Sequence, residues 1–352
     1  MRYLGLDVHA KATVWCLLDD KGTVVERGQV PTTAPALTAL VTRLKEVDEL
    51  VAGQEVGTMS YFVHDVVTAA GVKLLSFNAQ QLRMIASSRK KTDRRDAYWL
   101  AKALQTEMTP HPVYIPSGQV RWLRQQLSQR QAMIHDRQRW LLRAQSAVRA
   151  AGHPVARNRS PKKLQAALLS LPEGLDQHLL EALARCQRMY ETLACDLKQL
   201  EADLLREAGG IDAVRRLQTI PGVGPWVALT IYAWVGDVSR FRDARSLTAY
   251  AGLVPSVWQS GESLRQGGIT RQGARALRSM LVQAGHVLLS RCRKAEAAAL
   301  QALPTRVHAR SKSRKVAVVA AARHILKLTY YLLRDSTTYE PDRLRRLPDA
   351  AE

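Results

Sequence analysis

A chain of 352 residues that is 46% hydrophobic and 24% charged can pack two or three domains, which excludes a mainly disordered protein. Its 52 lysines and arginines against 31 acids give a formal charge of +21, which calls for a polyanionic partner, nucleic acid ahead of an anionic membrane surface. Cys16, Cys186, Cys195 and Cys292 are scattered without a CxxC pair, against both a zinc ribbon and a disulfide framework. The start, Met1 to Asp7, lacks the apolar region of a signal peptide, and no uncharged apolar run is long enough to cross a bilayer. A cytoplasmic protein without membrane contact is expected.

Tyr3–Asp7 and Thr13–Leu18 read as strands, and the turn Asp19-Asp20-Lys21-Gly22 leads into Thr23–Val25, which predicts a three-stranded antiparallel opening. Leu37, Leu40, Val41 and Leu44 have helical spacing within 36–47. Glu49–Gln54 is a short strand, Tyr61–Ala70 a second helix closed by Gly71, and Lys73–Phe77 a further strand. A meander followed by alternating helices and strands predicts a mixed sheet with helices on its faces.

Asp7 ends the first strand and Glu55 follows the strand 49–54. Asp93 and Asp96, three apart, share one face of a helix that starts near Thr92. If these four carboxylates converge they need hard divalent cations, Mg²⁺ above all, a set suited to phosphoryl transfer. Taken alone, Asp93 and Asp96 are equally what a helix N-terminus favours, with Arg94 and Arg95 as solvated neighbours. His9, just after the Asp7 strand, either supports the carboxylates from beside them or is simply solvated, and the solvated reading is favoured.

After Pro116 long Gln/Arg-rich helices begin. Leu179, Leu183, Cys186, Tyr190, Leu193, Leu197, Leu200 and Leu204 form a sustained heptad in 176–207. Leu127, Ile134, Leu141 and Val148 lie seven apart in an earlier helix, with 152–163 as the connection. A helical hairpin follows, within one chain or shared between subunits.

From Ile211 the chain is helical with Gly/Pro turns. Leu217–Pro225 matches a helix-hairpin-helix motif, in which Gly222 and Gly224 let backbone N–H groups approach a phosphate. A plain turn with Pro225 at the first helical position fits as well. Two basic runs contain no acid: Leu264–Ala295, with Arg265, Arg271, Arg275 and Arg278, and Arg306–Arg334, with Arg310, Lys312, Arg314 and Lys315. They suit phosphate contacts, or are solvated faces. Ser256, Ser260 and Ser263 fall in a Gly/Ser/Pro-rich loop between a helix at 247–251 and a basic helix from Thr270. Trp258 in that loop touches DNA or anchors the loop, whereas Trp226, Tyr232, Trp234 and Tyr250 read as core.

The order of elements in the first segment resembles the RNase H-like, RuvC-type fold. Gly5-Leu6-Asp7-Val8-His9, Glu55-Val56-Gly57, Lys91-Thr92-Asp93-Arg94-Arg95-Asp96-Ala97, Pro221-Gly222-Val223-Gly224 and Gly252-Leu253-Val254-Pro255 with Ser260-Gly261 occur in this order, around a coiled coil. Over nearly the whole chain they resemble the DEDD transposases of the insertion-sequence-one-hundred-ten family, with Ala79 after Asn78 where that pattern has proline. The resemblance implies a multidomain α/β plus α protein. Its parts are a RuvC-like catalytic domain (1–116), a coiled-coil helical hairpin (117–208), a helical C-terminal transposase domain with the serine loop (209–335) and a tail (336–352). It further implies Asp7, Glu55, Asp93 and Asp96 as an Mg²⁺-binding quartet and Ser260 as the nucleophile of a phosphoserine intermediate in DNA strand exchange. A structured non-coding guide RNA, and dimers that assemble into tetramers, are implied on the same ground. The alternatives are a RuvC-type structure-selective nuclease without a covalent intermediate and a non-enzymatic helix-hairpin-helix binding protein.

Overall fold

The computed structural model describes residues 1–85, 93–153, 166, 175–260, 263–293 and 295–341, in two compact units, Met1–Ile115 and Pro116–Glu352. The Thr92 cap, Gly261, the connection from 154 onward and the end of the tail lie outside the described residues.

In the first unit, β1 (Arg2–Val8), β2 (Ala12–Leu18), β3 (Val24–Pro31), β4 (Leu50–Glu55) and β5 (Lys73–Phe77) form a mixed sheet of order β3-β2-β1-β4-β5. β1, β2 and β3 pair antiparallel, whereas β4 and β5 join β1 in parallel. Helix α1 (Ala34–Lys45) and helix α2 (Ser60–Ala69) provide the crossovers. Leu4, Leu6, Leu17, Leu50 and Ala52 line one face of the sheet and pack with Leu37, Leu40, Val41, Leu44, Val63 and Val67 of these helices. β3 runs six residues beyond the expected Val25, because its period-two, half-exposed pattern is that of an edge strand rather than an apolar run. A short helix, α3 (Ala79–Ile85), was not expected; Asn78 Oδ1 starts it by accepting from the Gln80 N–H at 2.9 Å.

The opposite face holds α4 (Asp93–Gln105), which lies on β1, β2 and β4. It can do so because two strand positions beneath it carry no side chain. A Cβ on Gly5 would stand 2.0 Å from the Ala97 carbonyl oxygen, and one on Gly53 2.8 Å from Leu104 Cδ1. Ala97 and Ala101 on the helix are fully buried in return.

In the second unit, α5 (Gly118–Ala150) and α6 (Gln177–Gly210) form an antiparallel pair. The end of α5 meets the start of α6 through Leu141, Val148 and Leu179, and the start of α5 meets the end of α6 through Leu123, Leu127 and Leu204. Asp176 caps α6, accepting from the His178 and Leu179 N–H groups. Arg130 pairs with Glu201 at 2.6 Å and lies 4.0 Å over the Trp226 ring.

The remainder comprises α7 (Asp212–Gln218), α8 (Pro225–Val235), α9 (Ala244–Tyr250), strands β6 (Pro255–Ser260) and β7 (Ser263–Ile269), α10 (Arg275–Ser290), α11 (Ala295–Ser311) and α12 (Arg314–Arg334). The segment expected to be a serine loop is therefore an antiparallel hairpin, and the basic helix after it starts at Arg275 rather than Thr270. Its glycines and serines conceal the strand pairing, and Gly273, at φ +89°, breaks the chain before α10. A Cβ at Gly273 would lie 2.1 Å from the Tyr250 carbonyl oxygen.

α12 is the core helix. By length and composition it is long and apolar enough to cross a membrane, yet 72% of that stretch is buried within the protein. Within it His324 is 8% exposed, and its Nδ1 has no partner among the described residues. Burial, with a smaller contribution from the Lys327 charge, holds its pKa at about 4 against an ordinary 6.5. The unfolded chain takes up that proton first as pH falls. The stability from neutral His324 is complete above pH 6.5 and is lost as pH falls to about 4, on the order of 3 kcal/mol in all. Melting temperature measured across this window should fall less in His324→Leu than in the native protein; parallel profiles would contradict the assignment.

Candidate active site

Strand alternation decides what stands at the carboxyl end of β1. Leu4 and Leu6 point into the α1/α2 core, so Gly5 and Asp7 belong to the α4 face. α4 rests on Gly5 one turn after its own start, which lifts Asp93 and Asp96 in its first turn beyond the strand end beside Asp7. On β4, Gly53 faces α4, and Glu55 shares that face by the same alternation. Gln54 is pinned beneath the sheet end, its Nε2 donating to the Ser60 carbonyl at 2.9 Å and to Ser76 Oγ at 3.0 Å.

Ligand atoms of Asp7, His9 and Asp93 all lie within 4.8 Å of one another. His9 Nε2 is 3.2 Å from Asp7 Oδ2 and 3.5 Å from Asp93 Oδ2. The Asp7 carboxyl is held above its ordinary pKa, first by burial and then by the Asp93 and Asp96 charges, with His9 acting against them. A group that resists ionisation beside like charges gains from a cation. The oxygen donors of Asp7 and Asp93 suit a hard divalent ion, with Asp96 on the same helix turn and Glu55 on the neighbouring strand as further candidates.

His9 is 52% exposed, as expected of a solvated residue, while its ring also stands between two of the carboxylates. Its N–H donates to the Ala12 carbonyl at 3.1 Å, which keeps it in the β1–β2 turn. The signal was present in the sequence, since positions 7 and 9 of one extended segment share a face.

Ser260 ends β6, opposite Ser263 in the register, with Trp258 opposite Arg265. Ser256 is occupied, its Oγ donating to the Gly268 carbonyl at 2.9 Å. Beyond the hairpin, Arg278 Nη1 donates to the Ala251 carbonyl at 2.9 Å and closes the end of α9. Its pKa is lowered by burial and then by the charges of Arg275 and Arg271, so these three guanidiniums lie close together. Arg278 thus has a structural role alongside any contact with phosphate.

Gly222 and Gly224 differ. At φ +86°, Gly222 lets the turn between α7 and α8 approach α10, where a Cβ would lie 3.0 Å from the Ala284 carbonyl oxygen. Gly224 caps α8 with open space around it and Pro225 at the first helical position. Arg310, Lys312, Arg314 and Lys315 are all exposed at the junction of α11 and α12.

Two family models match the chain. Residues 4–152 match a transposase model of the IS110 DEDD type, and residues 214–301 match the transposase IS116/IS110/IS902 family. A probable family 20 transposase of Pseudomonas aeruginosa is 28% identical over 51% of this chain and 52% of its own length. A pilin gene-inverting protein of Moraxella lacunata is 33% identical over 35% of this chain and 38% of its own length. The chain thus spans about half or less of those two relatives. An insertion element IS110 protein of Streptomyces coelicolor, itself named as uncharacterized, is 27% identical over 99% of this chain and 97% of its length. The first model spans Asp7, Glu55, Asp93 and Asp96, the second spans the turn of Gly222 and the hairpin of Ser260, and along both stretches the chain is similar to the IS110 family of DEDD transposases.

Proposed function

We propose that the protein is the transposase of a mobile insertion sequence and cleaves and rejoins DNA by phosphoryl transfer through a phosphoserine intermediate. The observation that carries this reading is the meeting of Asp7, His9 and Asp93 within 4.8 Å at the end of β1. The strand order β3-β2-β1-β4-β5, with its antiparallel opening and parallel continuation, supports an RNase H-like, RuvC-type domain around them. The long helical pair, with its heptad, is read as a coiled-coil hairpin that brings subunits into dimers and tetramers.

Mg²⁺, when bound by the carboxylates, would polarise the scissile phosphate and stabilise the departing oxygen. Ser260 Oγ forms a bond to phosphorus, the phosphorus–oxygen bond to deoxyribose breaks, and the serine proton leaves with the released deoxyribose hydroxyl. The phosphodiester energy is kept in the serine ester, so a hydroxyl of a new strand can reverse the step and join to it. Arg265, Arg271, Arg275 and Arg278, with Gly224 and the exposed group at 310–315, hold the backbone phosphates. Choice of the site falls to a structured guide RNA, for which the charge of +21 leaves room.

The test is a denaturing gel after incubation with Mg²⁺ and DNA that carries the element's ends. A protein-linked DNA band is expected. Simple nicking would replace this reading with a RuvC-type nuclease, and a mobility shift without cleavage with a binding protein.

A further inference from the structure

Trp258 is 63% exposed, the most exposed of the seven tryptophans, although it lies within a strand. An indole held in water gains nothing from the hydrophobic effect, so its place calls for a ligand. The hairpin is shaped around it. A Cβ on Gly267 would stand 2.5 Å from Trp258 Cζ3 and 3.1 Å from Cη2, so the six-membered ring fills the space that a side chain at 267 would occupy. Ser256 ties the two strands beside it through the Gly268 carbonyl at 2.9 Å. The ring is thus backed by bare backbone and held outward.

Its place along the strand matters as much. A single residue, Gln259, separates Trp258 from Ser260 along β6. The run that follows carries Arg271, Arg275 and Arg278, an anion-holding neighbourhood in sequence. Strand exchange needs bases beside the cleaved phosphate to leave one partner before pairing with another, and an aromatic surface replaces the stacking they lose.

We propose that Trp258 stacks on an unpaired nucleobase of the DNA strand attacked by Ser260 and so positions the adjoining phosphate. The inference rests on the assignment of Ser260 above. It makes Trp258 a positioning residue, tolerant of base identity because every base offers a π-face.

The test uses the full chain and two probes of equal charge, a single-stranded oligodeoxythymidylate of roughly twenty nucleotides and the same backbone without bases. Trp258→Ala should weaken binding of the first by about tenfold, leave the second unchanged, and be rescued to within about threefold by Trp258→Phe. Irradiation of a probe containing 5-iododeoxyuridine should attach it to the peptide that contains Trp258. Equal losses on both probes, or none on either, overturn the proposal. So does a change in sedimentation with binding intact, which would mark Trp258 as a protein-docking residue. A loss confined to the matching oligouridylate would assign the indole to RNA instead. Each variant is compared at equal melting temperature, and Trp258→Phe keeps the test open should Trp258→Ala fold poorly. If the Trp258 effect is absent while the Ser260 adduct forms, only this inference falls; if no adduct forms, the underlying reading falls.

Discussion

Asp7→Asn is expected to lower DNA cleavage and strand exchange by about a thousandfold or more, while DNA binding should stay within about threefold. The size follows from losing several kcal/mol of charge stabilisation at the transition state, where each 1.4 kcal/mol is about tenfold. Asparagine keeps the volume and removes the charge. Because burial and the Asp93 and Asp96 carboxylates already oppose ionisation of Asp7, the substitution relieves repulsion and does not lower the melting temperature. Binding is spared because phosphate contacts come from lysine and arginine. Adduct formation, a binding isotherm and a melting curve on the same preparation check the three parts. Equal loss of binding and cleavage would mean that Asp7 holds the fold rather than the reaction.

What was legible in the sequence depended on how local the cause is. The strands at 3–7, 13–18 and 73–77 and helices α1 and α2 stand close to where their apolar spacing puts them, since burial on one face imposes the pattern directly. Edge strand β3 was not legible beyond its first residues, and the serine hairpin, which reads as a loop, was not legible as strands at all. Their stability comes from cross-strand hydrogen bonds and from glycines at 267 and 273, which apolar periodicity does not register.

The site divides in the same way. Asp7 and Asp93 are 86 positions apart, and their meeting depends on Gly5 and Gly53 clearing the sheet for α4, a tertiary fact written as two missing side chains. Motif order pointed to the acids, while only the packing explains how they meet. His9 is solvated, as a histidine in a turn usually is, and the turn also brings its ring beside the acids.

Ser260→Ala is expected to eliminate the proposed covalent protein–DNA adduct and all strand exchange, whereas Ser256→Ala and Ser263→Ala should retain both. The contrast separates chemistry from architecture, because Ser256 spends its hydroxyl on the Gly268 carbonyl, a bond worth about 1 kcal/mol that its alanine variant loses. For Ser260→Ala the expected stability change is within about 0.5 kcal/mol, the usual effect of removing one oxygen outside a core. Ser260→Cys should keep a trace of activity at most, since a thiol attacks but is matched to softer ions than Mg²⁺. Mass spectrometry of the trapped adduct gives the decision: a nucleotide on Ser260 is expected. Attachment at Ser256, Ser263 or a tyrosine overturns the assignment, and full recombination by a folded Ser260→Ala protein removes the covalent mechanism and leaves hydrolysis by the carboxylate site.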